Sequence, residues 1–415
     1  MNEVRSRLVR KRTAREWALR GALALAASIF GYASTTQTLG YSLVKTDPER
    51  AHELAPADGR ITGALAAQRV TATMPSAQRG ESARLAHGAL LKEPLSASAL
   101  TALGIDADLR GYRGTARTLF VHSNALTRRE LSARLWLIED AVARNDVPGA
   151  LRNYDIALRT SKSAPGLLFP IMAAAIDNAD VAKALADTMR SRPPWNEAFF
   201  DFVASSGASP KAAAILFIRL AQSGVQPPES ARATIINTLI GADAFENAWA
   251  YYKTLRGNLD RRRSTDASFS QALSTPTFFD WTPKNDDPGL TALIERSPQG
   301  GFLDFAAPSG IGGTVLQQGL MLPSGEYRLQ GSSADLTAPA DARPFWRLSC
   351  LNKRELGRID LPDSIQNRGH FSGILTVDAK CPVQVLQLVL RPSLDAGGVS
   401  GKISSAMLLP LGSRQ

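Results

Sequence analysis

The chain has 415 residues, 44% of them hydrophobic and 21% charged, a composition that excludes wholesale disorder and leaves room for two or three domains. Two cysteines and four histidines are too few for a disulfide-dense mini-protein or a zinc site built from several histidines or cysteines. The formal charge is +10, but residues 1–20 hold seven basic and two acidic side chains, so half of the excess is local and no nucleic-acid partner is expected.

Arg5, Arg7, Arg10, Lys11, Arg12, Arg15 and Arg20 make 1–20 a basic segment, and from Gly21 to Val44 there is no Asp, Glu, Lys, Arg or His. As a helix that run would extend about 36 Å, against a hydrocarbon core of about 30 Å. It predicts a transmembrane helix over 21–44. The first half, GALALAASIFGYA, is strongly apolar and the second, STTQTLGYSLV, mildly so. With the basic flank on the N-terminal side, the positive-inside rule predicts a single-pass protein of a bacterial inner membrane, N-terminus cytoplasmic and bulk periplasmic, touching the membrane through 21–44. A cleaved signal peptide with its core at 21–33 is the alternative. Both place the body across the membrane.

Residues 46–260 are rich in Ala and Leu and broken about every dozen residues by Pro, Gly or Asp, the pattern of short helices. A period underlies it. Ala107, Ala141 and Ala175 are spaced by 34, as are Ala116, Ala150 and Ala184, with Leu103, Leu137 and Ile171 in step. Phe120 and Tyr154 follow the second set of alanines by four, on the same helix face. Ala214 and Ala248 repeat the interval, with Ile218 and Tyr252 in the large apolar slot. This register resembles the tetratricopeptide repeat; ARLWLIEDAVARNDVPGALRNYDIALRTSKSAP, residues 133–165, is the best copy, with Ile138 where the pattern has the glycine that Gly104 supplies one copy earlier. The resemblance implies an α-helical solenoid over 46–260 that docks a protein partner. Trp136, Trp195 and Trp249 are expected in its core. His52, His87 and His122 recur at 35, too far apart in stacked repeats to share a metal ion.

NLDRRRST, from residue 258, opens a polar linker, 261–274. Beyond it the helical period stops and short runs rich in β-branched and aromatic residues recur about every ten residues, which predicts a β-domain over 275–415. Strands are expected at 291–296, 301–306, 314–322, 326–331, 345–351, 370–377, 383–391 and 402–409. Phe279, Asp280 and Trp281, then Gln317 and Gln318 ahead of the turn carried by Leu320, Leu322, Pro323, Gly325, Tyr327 and Leu329, resemble carbohydrate-binding-module and galactose-binding-like jelly rolls. The fold expected of the whole chain is thus multidomain α + β: one transmembrane helix, a tetratricopeptide-like solenoid and a C-terminal antiparallel β-sandwich of the jelly-roll kind.

In an exported chain Cys350 and Cys381, both in that domain, are expected to form one disulfide; a catalytic thiol would need a nearby His, and His370 is the domain's only one. The resemblance implies sugar contacts, for which Trp281, Tyr327, Arg343, Trp346 and Arg347 are the candidate ligand-binding residues. Asp286 and Asp287 read as a turn in preference to a calcium site. No phosphate-cradling glycine loop, nucleophile elbow or HExxH motif occurs, so no catalytic residue, cofactor or metal is expected. The leading functional expectation is a membrane-anchored cell-envelope scaffold: repeats on a protein partner, sandwich on a glycan or envelope component, in polysaccharide assembly or export. The alternatives are a structural subunit of a membrane complex, interacting through small residues such as Gly21, Ala27 and Gly31 of its anchor, and a glycan-active enzyme.

Overall fold

The computed structural model describes residues 13–70, 76–257, 259–285, 287–297, 300–336, 338–365 and 368–411. The chain divides into two compact units, 1–168 and 169–415. The first contains α1 (Ala14–Leu43), α2 (Pro48–Leu54), α3 (Gly59–Arg69), α4 (Ser76–Lys92), α5 (Ala97–Leu109), α6 (Arg113–Leu126), α7 (Leu131–Ala143) and α8 (Val147–Thr160); the next helix, α9 (Ala164–Ala175), is shared between the units. Helices begin where the sequence supplies caps. Asp47, Asp58 and Asp146 accept hydrogen bonds from backbone N–H groups of the turn that follows them, and Pro48 and Pro148 stand in first turns, where a missing N–H is tolerated.

Helices α3 and α4, α5 and α6, and α7 and α8 pack as successive pairs. Small residues let them close. Ala107, Ala116, Ala141 and Ala150 are buried together with Phe120, Trp136 and Tyr154. A Cβ added to Gly104 on α5 would lie 2.8 Å from the Phe120 ring on α6, and that ring stacks on Trp136 of α7 with centroids 4.6 Å apart. Gly104→Val should therefore cost the first unit about 1–3 kcal/mol through overpacking, read as a lower thermal midpoint. An unchanged midpoint would mean that the Phe120 ring gives way freely. Between α6 and α7, Asp140 (2% exposed) accepts from Arg117 at 2.7 and 2.8 Å and from Arg144 at 3.2 Å. The Arg117 guanidinium foremost holds its carboxyl below the usual carboxylate range.

The transmembrane expectation is corrected here. Among the described residues no helix is long and apolar enough to cross a membrane. The strongly apolar stretch ends near residue 33, and 13 residues give only about 20 Å of helix. Beyond it the hydroxyls of Thr35, Thr36 and Thr38 bond back to carbonyls of α1, while Gln37 and Tyr41 donate to Asp58 at 3.3 and 2.8 Å. Gly40 is buried against Ile61, so the last turns of α1 dock on α2 and α3. Single-pass insertion in an inner membrane, with a cytoplasmic N-terminus, a periplasmic bulk and membrane contact through 21–44, loses its support with the helix. Of the basic segment, Arg15 and Arg20 lie on α1; Arg5, Arg7, Arg10, Lys11 and Arg12 lie outside the described residues.

The second unit continues with α10 (Ala179–Met189), α11 (Asn196–Ser206), α12 (Pro210–Gln222), α13 (Glu229–Gly241) and α14 (Phe245–Arg256). Helix α11 packs on α13, and α12 on α14. Here the 34-residue register slips. The fourth residue is Ala116 in α6 and Ala150 in α8, but Ala182 in α10, where Ala184 was expected. Ala182 is buried, whereas Ala184 is partly exposed and Ile171 is 55% exposed. The turn before α9 is one residue shorter than the turn before α7, and α9 itself is one residue shorter than α7. In α12 the corresponding pair is Ala213 and Phe217, one place before Ala214 and Ile218.

Among the described residues ten strands follow: β1 (Thr282–Pro283), β2 (Thr291–Ser297), β3 (Gly300–Ala307), β4 (Gly313–Leu320), β5 (Gly325–Ala334), β6 (Phe345–Cys350), β7 (Glu355–Asp360), β8 (His370–Val377), β9 (Gln384–Leu390) and β10 (Val399–Pro410). They form two antiparallel five-stranded sheets, β1-β4-β9-β6-β7 and β2-β3-β10-β5-β8. One apolar core joins them, with Leu303, Leu329, Trp346, Leu386, Leu388 and Leu408 fully buried. Strands β1 and β7 escape the sequence reading: the first is two residues long, and the second, ELGRID, is a polar edge strand with no buried residue.

Residues 264–269, inside the expected linker, lie along the sandwich. Ser264 exchanges hydrogen bonds with Leu408 at 3.2 and 2.8 Å, Ala267 accepts from Ala406 at 2.9 Å, and Phe269 is fully buried in the core. The sandwich is equally tied to α14. Asp280 (3% exposed) accepts from the Tyr252 hydroxyl at 2.8 Å, Arg256 at 3.1 Å and the Thr277 N–H at 2.9 Å. Phe279 packs on Trp249 and Tyr252. Burial, and then the Asp280 carboxylate, push the Tyr252 phenol up from its ordinary value.

Candidate functional site

The residues that carry the sugar-binding resemblance serve the core. Trp281, Tyr327 and Trp346 are 5%, 3% and 0% exposed; Trp281 rests against Trp346 and Phe269, so none of the three rings is a surface platform. The Trp281 indole donates to the Asp266 carbonyl at 3.1 Å. Tyr327 donates to the Pro323 carbonyl at 2.8 Å, and with Leu320, Leu322 and Leu329 buried beside it the proline-glycine motif is a folding corner. Gln318 is buried too, its amide bonded to Thr265 at 2.8 and 3.0 Å.

The two arginines do not join the aromatics. Arg343 is half-buried before β6, its carbonyl accepting from Arg391 at 2.7 Å. Arg347 alternates with Trp346 and Leu348 and therefore faces outward from the first sheet, where it donates to Gln387 at 2.8 and 3.2 Å. Strand register extends this pair into a row, Thr282, Gln317, Gln387, Arg347 and Arg358, across all five strands. Beside it, the Phe345 ring lies under Arg391 and Arg358 at 4.6 and 5.1 Å.

A concave site lies on the other sheet. On its outer face a cleft of about 430 Å³ is lined by Ser268, Gln330, Ser332, His370, Ser372, Ser405 and Met407. Cross-strand pairing brings them together: Gln330 faces Ser372 and Met407, and Ser332 faces His370 and Ser405. The Ser332 hydroxyl lies 3.4 Å from His370 Nδ1. Gly331 forms the floor, where an added Cβ would meet the Ser405 carbonyl at 2.0 Å, so β5 and β10 approach closely at the bulge between Ile403 and Ser405. Hydroxyls, an amide and an imidazole beside a methionine side chain present donors and acceptors without a carboxylate. That set suits a neutral, hydroxyl-rich ligand. Sequence reasoning missed the cleft because serines are unremarkable singly; polar residues at alternate positions of β5 and β8 were visible, but not that β10 and residues 267–268 complete the walls.

Cys350 and Cys381 form a disulfide, Cα atoms 5.6 Å apart, between the end of β6 and the approach to β9. Next to it Gln384 holds the Leu322 N–H at 2.8 Å. Among the described residues no group of three or more His, Cys, Asp or Glu side chains is placed to hold a metal ion. Asp286 lies outside the described residues.

No protein-family model and no curated protein sequence matches the chain. Solved structures give partial likenesses. The Pseudomonas aeruginosa protein PilF is 15% identical over 55% of this chain and 94% of that one, TM-score 0.27. A carbohydrate-binding module, TmCBM61, solved with β-1,4-galactotriose, is 12% identical over 37% and 97%, TM-score 0.24. The enzymatically active domain of bacteriophage CBA120 tailspike protein 4 is 7% identical over 32% of this chain, which spans only 19% of it, TM-score 0.22. At these scores the fold description rests on the chain's own helix pairs and sheets.

Proposed function

We propose that the protein is a binding scaffold whose sandwich holds a glycan and whose helix pairs dock a protein, with polysaccharide assembly or export as the setting that would use both. The observation that carries the glycan reading is the cleft on the outer face of β5, β8 and β10. Gln330, Ser332, Ser372 and Ser405 can bond vicinal hydroxyls, and Met407 offers the apolar contact for the C–H face of a sugar ring. The protein-docking reading is supported by the recurrent pairs α3–α4, α5–α6 and α7–α8, since stacked pairs present side chains of successive helices on one continuous surface.

The full-length chain on a glycan array, followed by calorimetry with any oligosaccharide found, tests the first part. Gln330→Ala and Ser372→Ala should each weaken binding about tenfold, the loss of roughly one good hydrogen bond to the ligand. Arg347→Ala should leave it unchanged. The reverse pattern would move the contact to the row on the first sheet, and an empty array would remove the glycan reading.

A further inference from the structure

A second cavity lies among the helices of the 169–415 unit. About 360 Å³ in volume, it opens between α12, α14 and the first turns of α13. Phe217, Ile218 and Leu255 form an apolar part of its wall, and Gln222, Gln226 and Thr254 a polar part. Arg232 and Tyr251 stand beside the apolar part. Arg232 carries a buried Nε without a hydrogen-bond partner, and among the described residues no acid pairs with its guanidinium. Glu229, one turn earlier on α13, accepts from the Ser274 hydroxyl at 2.5 Å and the Thr275 N–H at 3.4 Å, and feels the Arg232 charge without forming an ion pair with it. No Asp or Glu lines the cavity. Tyr251, 2% exposed, sets its ring against Phe217; burial pushes its phenol up, with the Arg232 charge acting the other way.

A buried guanidinium nitrogen without a partner is costly to leave unmet, and the planar fork of an arginine matches a carboxylate with two parallel hydrogen bonds. A phosphate dianion fits less well: it would bring a second charge to a single arginine. We propose that this cavity binds an aliphatic carboxylate, its oxygens on Arg232 and the Tyr251 hydroxyl and its hydrocarbon against Phe217, Ile218 and Leu255. Two sources share that chemistry, a free branched-chain acid and the C-terminal residue of a polypeptide.

Titration calorimetry of the full-length chain with 4-methylpentanoate, N-acetylleucine and N-acetylleucinamide separates the outcomes. The carboxylates should bind and the amide should bind at least about tenfold more weakly. Tighter binding of N-acetylleucine identifies a polypeptide terminus, and tighter binding of 4-methylpentanoate a free acid. Arg232→Gln should abolish the preference for carboxylate over amide, while Tyr251→Phe, which removes one oxygen and keeps the ring in place, should weaken the acid severalfold and leave the thermal midpoint near that of the parent. Equal affinity for acid and amide, no binding of either acid at about 10 mM, or full affinity in both variants would overturn the proposal.

Discussion

Replacing Asp280 by Ala should lower the stability of the 169–415 unit by about 3–5 kcal/mol, the usual cost of removing one partner from a buried ion pair. The carboxylate is 3% exposed and the Arg256 side chain 21% exposed, so the loss leaves a guanidinium, a tyrosine hydroxyl and the Thr277 N–H short of their acceptor. For a unit of this size the thermal midpoint should fall by on the order of 10 °C. Asp280→Asn, which keeps an acceptor oxygen and loses the charge, should fall between parent and alanine variant. Separate transitions for helices and sandwich in the parent, with Asp280→Ala moving neither, would show that the Tyr252–Asp280–Arg256 cluster does not couple them.

The second large effect belongs to the disulfide. Cys350 and Cys381 close a loop across a sequence separation of 31, and on the chain-entropy relation a loop of that length contributes roughly 3–4 kcal/mol by restricting the unfolded chain. The double Cys→Ser variant should therefore unfold at lower denaturant with the sandwich first affected, and reductant should bring the parent to the same midpoint. If parent and variant unfold together under oxidising conditions, the bridge adds nothing to stability.

Periodicity made the helices legible because a residue in a paired helix is either packed or exposed: Ala116, Phe120, Ala150 and Tyr154 all fell on the buried face. The register slips after residue 160 because it counts residues along the chain, and a shorter turn and a shorter helix shift Ala182 into the place expected for Ala184, whereas Ala248 and Tyr252 are again the buried fourth and eighth residues of their helix. Alternation gave eight strands, and Leu386, Leu388 and Leu390 do point into the core. It could not reveal β7, whose polar residues need no burial at an edge. The transmembrane expectation failed on composition within the run: freedom from charge extends over 21–44, strong apolarity only to 33, and Gly40 and Tyr41 are committed to packing and to Asp58.

The candidate site was the least legible part. Trp281, Tyr327 and Trp346 were singled out because large aromatics serve both as sugar platforms and as core, and burial decides between those roles. Arg347 does face outward, in a row that five strands assemble. The cleft on the other sheet draws on residues as far apart as Ser268 and Met407, a neighbourhood that only the strand order creates.

That order also bears on how the chain is made. Strand β10, residues 399–410, sits in the middle of its sheet between β3 and β5, and 264–269 rest on it as well. During synthesis β3 and β5 leave the ribosome about a hundred and about seventy residues, respectively, before the strand that must separate them. Until then each offers an open edge to any passing strand. The helical segments upstream close through contacts near in sequence and can mature as they emerge, whereas the sandwich must wait for its last strand. A ribosome stalled just short of residue 399 would thus hold a chain with folded helices and two strand pairs, β2–β3 and β5–β8, each with one open edge, the form most prone to aggregate.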